Sequence, residues 1–180
     1  MMKKFGLAVL ITLTLLGCGK VEEKVDKMIT KEYEKMVDVA DILDVLLTHI
    51  ADKNRKLSFE DGELIDTELG IPKYEITSFE EIEHFNPEEI VDGYVVKPVV
   101  ETDNPHLLIV IAANGKEDAG SVNKAMQKVL SDQTKAFHGK GLRAHHLVNT
   151  NQIVRQGNYL IYATWEGSEE ISHLFERYVK

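Results

Sequence analysis

A single cysteine, Cys18, occurs in the 180 residues, so no intramolecular disulfide can form and the cysteine has no disulfide partner. Tryptophan is equally scarce, with Trp165 alone, and proline stands at four positions. Positive charge is short: 21 Lys and Arg face 30 Asp and Glu, a formal net charge of -9. Leaving out Lys3 and Lys4 of the leader, 19 basic residues face the 30 acids, about -11. Such a body is repelled by nucleic-acid phosphate and by anionic headgroups, which excludes nucleic-acid binding and charge-driven docking on a membrane. Catalytic signatures are also missing: no G-x-x-x-x-G-K-[ST], no H-E-x-x-H and no G-x-S-x-G.

What is present begins at the N-terminus. Lys3 and Lys4 precede an apolar run, Phe5–Leu16, softened only by Gly6, Thr12 and Thr14. Twelve residues fall short of the roughly 20 a helix needs to span a bilayer, and match a secretory h-region. The run ends in Leu15-Leu16-Gly17-Cys18. This end resembles the lipobox of bacterial lipoproteins, with Leu16 where Ala or Ser is usual. The resemblance implies diacylglycerol on the Cys18 thiol as a thioether, cleavage between Gly17 and Cys18, and loss of residues 1–17. Two acyl chains hold a protein stably, at about 0.8 kcal/mol per buried methylene, where one chain holds it marginally. The expected location is the extracytoplasmic face of the cell membrane, with no cofactor beyond that covalent lipid.

Four segments are expected: a leader (1–17), a lipidated N-terminus with an amphipathic helix (18–54), an acidic segment of short helices (55–92) and an α+β domain (93–180). In the helix, Ile29, Tyr33, Met36, Ala40, Leu43, Leu47 and Ile50 recur every three or four residues. Ser58/Asp61 and Ser78/Glu81 read as helix starts, as does Asn86-Pro87-Glu88-Glu89, which Gly93 stops. Tyr94–Val100 reads as a strand that Pro98 places at an edge or bulge. The run His106–Ala113 reads as a buried central strand, and Lys116–Phe137 as a helix. The segments 152–156 and 159–164 form a hairpin about Gly157-Asn158, and Ser168 caps a last helix. The expected fold is a two-layer α+β domain with a four-stranded antiparallel sheet (β-β-α-β-β-α), an extra N-terminal helix and all helices on one face.

Four elements, NPEEIVDGYVVKP, LLIVIAA, VNKAMQKVLSDQTKAF and IVRQGNYLIYAT, resemble an uncharacterised family of Gram-positive lipoproteins, domain of unknown function 4358, over about residues 82–179. Membership implies a lipobox-anchored α+β domain and carries no activity, cofactor or catalytic residue.

Candidate chemistry is sparse. His138, His145 and His146 are the only candidate metal ligands, in a stretch read as a solvent-facing loop, and their spacing matches no zinc pattern. Gly139-Lys140-Gly141 follows a helix, so no helix N-terminus is expected to aim at a phosphate there. Glu80, Glu81, Glu83, Glu88 and Glu89 include capping and dipole positions and read as a solvated face. Ser121 suits a helix start. Tyr94, Tyr159, Tyr162 and Trp165 are strand aromatics; Trp165, at a strand end beside Glu166, would suit a peptide or basic partner if exposed. The expected role is a non-enzymatic interaction or accessory module of the cell envelope with a protein partner. The alternatives are a lipoprotein binding a small ligand and, behind it, an envelope enzyme.

Overall fold

In the computed structural model, which describes residues 37–100 and 103–180, the first element is helix α1 (Val39–Lys53). Asp38 starts it, its carboxylate accepting from the Ala40 N–H at 2.9 Å. Val39, Ile42, Leu43, Leu46, Leu47 and Ile50 form its buried stripe. Residues 21–36 of the expected helix lie outside the described residues, as do the leader, Gly17 and Cys18.

The acidic segment is strand, not helix. Strands β1 (Leu57–Glu60) and β2 (Glu63–Asp66) pair antiparallel. Asp61-Gly62 joins them at φ 49° and 80°, both in the left-handed region that a two-residue type I′ turn requires. The Asp66 carboxylate then accepts from the Glu68 and Leu69 N–H groups and turns the chain into β3 (Ile71–Ser78). Ser58 sits inside β1, so the helix expected there is absent. Ser78 and Asn86 do act as caps, accepting from the N–H groups of Glu80 and Glu88, but each opens only one 3-10 turn, Phe79–Glu81 and Pro87–Glu89. Strand β4 (Ile90–Pro98) begins at once after the second. Gly93 therefore lies within a strand: a Cβ there would stand 2.9 Å from Ile111 Cγ1 and 3.1 Å from the Val110 carbonyl.

Strand β5 (Leu107–Ala113) is buried throughout. Helix α2 (Lys116–Ala136), helix α3 (Leu142–Asn149), the hairpin of β6 (Gln152–Gln156) and β7 (Tyr159–Thr164), and helix α4 (Ser168–Tyr178) follow. All seven strands form one antiparallel sheet in the order β1-β2-β3-β4-β5-β7-β6.

This overturns the two-layer, four-stranded β-β-α-β-β-α sheet. The sheet gains β1–β3, and both of its faces are covered. Leu107, Ile109, Ile111 and Ala113 point to one side and pack with Val95, Leu160 and Tyr162 against Ala119, Val122, Met126 and Val129 of α2. Leu108, Val110 and Ala112, with Ile161 and Ala163 beside them in register, point to the other. That side is met by α1 on β4 and β5 and by α4 on β7, the two helices also touching each other. The physical reason lies in β5 itself: a strand apolar on both faces exposes one of them in any two-layer arrangement, and each large side chain left in water forfeits about 1.5–3 kcal/mol. Pro98 does not mark an edge strand. It ends β4, opposite Tyr74, where the missing N–H leaves the interior ladder intact.

Candidate functional site

One end of the sheet gathers the most polar chemistry of the interior. Asn104 turns the chain into β5, its side-chain oxygen accepting from the His106 N–H at 3.1 Å. His106 is thereby placed one residue before β5 and is only 6% exposed. Trp165 follows the last residue of β7, and its ring stacks on the imidazole at 4.4 Å and 15°. Tyr74, from β3, completes the aromatic set at 4.7 Å from Trp165, and its oxygen lies 2.7 Å from His106 Nδ1. Glu166 follows Trp165. Its Oε2 is 2.6 Å from His106 Nε2, and its Oε1 is held by Arg143 from the first turn of α3.

The electrostatics assign the protons. The His106 imidazole beside it, helped by the Arg143 guanidinium and opposed by burial, holds the Glu166 carboxyl down at about 2. The His106 Nε2–Glu166 Oε2 approach is close, though off the line of a well-aligned hydrogen bond. Burial, with the Glu166 charge adding, pushes the Tyr74 phenol up to about 12. A carboxylate beside Nε2 favours the tautomer with its proton there, so Nδ1 accepts the Tyr74 O–H. His106 and Tyr74 present almost no surface to solvent, and the cluster ties β3, β5, α3 and the β7–α4 turn together.

The depressed Glu166 pKa sets a direction with pH. Its contribution is fully present above the unfolded value near 4.5 and is lost as pH falls toward 2. Glu166 is about half exposed, so solvent screening holds the effect to about 1–2 kcal/mol. The melting temperature of the wild type should fall through that window, and Glu166→Gln should flatten that part of the curve. Parallel curves for the two proteins would contradict the assignment.

A second polar group ties α2 to the same end. The hydroxyls of Tyr162 and Thr164 both donate to Gln133 Oε1 at 2.8 Å, and Gln133 Nε2 donates to the Pro105 carbonyl at 2.8 Å. Burial pushes the Tyr162 phenol up to about 12.

Two cavities open beside the cluster and share Asn104. The first, about 580 Å³, is lined by Asp103, Lys140, Arg143 and the start of α3. The second, about 280 Å³, is mainly apolar, between Leu69, Ile71, Val99 and Val100.

The residues singled out in sequence fare differently. Helix α3 was missed: its eight residues, behind glycines and rich in histidine, resemble loop. His145 and His146 lie on it, not in a loop, and they and His138 are exposed. Among the described residues no three His, Cys, Asp or Glu side chains stand close enough to hold a metal ion. Gly139-Lys140-Gly141 does precede a helix, contrary to expectation, since Gly141 directly opens α3. Lys140 lies 3.5 Å from Asp103 there. Glu81 pairs with Lys97 at 3.0 Å, while Glu80, Glu83 and Glu88 are exposed. Ser121 lies on α2. Tyr159 and Tyr162 are buried. Trp165 is 3% exposed, so its expected service to a peptide or basic partner falls away. His106, Tyr74 and Arg143 had no signal in sequence beyond Asn104-Pro105-His106, a turn leading into the longest apolar strand.

Compared with known proteins, the chain matches no family model, no curated protein and no solved structure.

Proposed function

We propose that the protein is a lipoprotein, anchored through diacylglycerol on Cys18 at the extracytoplasmic face of the cell membrane, that serves there as an interaction module. The supporting observation is the leader: two lysines, a 12-residue apolar run and Leu-Leu-Gly-Cys with the chain's lone cysteine. Its resemblance to the lipobox, and that of residues 82–179 to the domain of unknown function 4358, agree with this reading. No helix among the described residues is long and apolar enough to cross a membrane.

The mature protein should begin at Cys18 and carry the mass of a thioether-linked diacylglycerol on its first residue. A mature N-terminus elsewhere, or an unmodified Cys18, would refute the anchor. Crosslinking in native membranes tests the module: a reproducible protein adduct is expected.

A second reading has its own observation. The 580 Å³ cavity carries Lys140 and Arg143 beside Asp103, a mixed lining that suits a small zwitterion. A rise in melting temperature with free amino acids would favour it by linkage.

A further inference from the structure

Among the described residues, seven large apolar side chains are exposed, and five of them, Leu69, Ile71, Val99, Val100 and Leu142, stand at one end of the sheet. They come from three separate places: the β2–β3 turn, the end of β4 and the start of α3. Scattered apolar side chains are ordinary on a protein surface, whereas five gathered at one end mark a contact. Leu142 is 92% exposed and Leu69 69%. Leu69, Ile71, Val99 and Val100 rim the apolar cavity, and Leu142 stands at the neighbouring cavity that shares Asn104 with it, so the five form a set of tips instead of a flat face.

Among the described residues, acids at this end are paired with bases, though the body is acidic. Lys73 lies 3.4 Å from Asp66, Lys56 3.9 Å from Glu68 and Lys140 3.5 Å from Asp103, and Arg143 holds Glu166. With these four acids neutralised in pairs, this end can approach a headgroup layer with less repulsion than unpaired carboxylates would meet.

We propose that these tips dip into the interface of a phospholipid bilayer, seating the domain against the membrane. The proposal rests on the lipoprotein reading for its bilayer. Chain length permits it. Helix α1 runs toward this end: Lys53 ends it, and Leu57, four residues on, pairs with Asp66 beside the tips. The chain from Cys18 thus joins the domain at the other end of α1, about 22 Å away. The 20 residues from Cys18 to Asp38 can extend to roughly 65–70 Å, long enough to lead back. The expected mode is interfacial, with apolar side chains buried at headgroup depth and little dependence on anionic lipid. A protein partner is the competing occupant.

The lone cysteine makes the test direct. With Cys18 blocked by its lipid, Leu69→Cys, Val100→Cys and Leu142→Cys each provide one thiol for a polarity-sensitive dye. Glu88→Cys, exposed before β4 at the opposite end of the sheet, is the control. The mature lipoproteins are reconstituted in phosphatidylcholine vesicles with and without brominated chains. Dyes at 69, 100 and 142 should shift to the blue and be quenched by bromine several-fold more than at 88. Dyes that stay aqueous at all three, or quenching equal to the control, overturn the docking and leave a protein as the occupant. Reaction of Cys18 itself with the dye reagent in the unsubstituted protein overturns the anchor alone. Docking is then read by adding vesicles to the same variants in a Cys18→Ser background, with the same pattern expected and the same flat result decisive against it.

Discussion

Phe175→Ala should lower the unfolding free energy by about 3–5 kcal/mol. Helix α4 buries four residues, Ser168, Ile171, Ser172 and Phe175, and only two of them are large and apolar. Phe175 is fully buried, on the helix that bridges α1 to β6 and β7. Truncation removes the ring's transfer energy and leaves a cavity whose walls include sheet residues that cannot follow it inward. Against a total stability of about 5–15 kcal/mol, this is a large fraction. Urea unfolding would read it as a lower midpoint at unchanged slope. A loss below about 1 kcal/mol would show that α4 slides into the space, and that the helix is not the fixed cover of that face. Phe175→Leu, which refills most of the volume, should recover more than half of the loss.

His106→Ala should destabilise the protein by about 2–4 kcal/mol. The loss has three sources. The Tyr74 O–H loses its acceptor in a buried position. Glu166 loses the imidazole that favours its charge and keeps only Arg143. The Trp165 ring loses its stacking partner. Trp165 is the only tryptophan, so its fluorescence reports this place alone, and the emission of the folded variant should move to longer wavelength as water reaches the ring. A second variant separates the causes. Tyr74→Phe removes only the hydroxyl and should cost about 0.5–1.5 kcal/mol with the emission unchanged. Unaltered stability and emission in His106→Ala would mean that the cluster does not tie β3, β5 and the β7–α4 turn together.

Elements whose signal is local were legible. The run Leu107–Ala113 is a strand because seven consecutive apolar residues, rich in β-branched side chains, suit nothing shorter-ranged. The hairpin over residues 152–164 follows from its two-residue turn, where Gly157 takes φ 62°. Helix α2 follows from its 3.6-residue apolar period. The acidic segment misled because β1 and β2 have four residues each, too few to show a period of two against the caps around them. Asp61-Gly62 was the overlooked signal, since adjacent positive φ angles suit a tight hairpin. Ser168 was expected as a cap, but it is the first helical residue of α4, and its hydroxyl donates instead to the Thr150 carbonyl at 2.8 Å.

The candidate site was not legible. Residues 74, 106, 143 and the pair 165–166 come from four places far apart in the chain, and no local pattern shows that they meet. The sequence by itself determined the acid excess, the lone cysteine at the end of an apolar run, and the strands and helices whose periodicity is carried by neighbours a few residues apart. Tertiary structure alone decided that helices cover both faces of the sheet, that Trp165 is buried against a histidine, and that five exposed apolar tips share one end. Those are outcomes of long-range register. Pairing β4 and β7 on either side of β5 fixes which side chains meet, and no local preference contains that information.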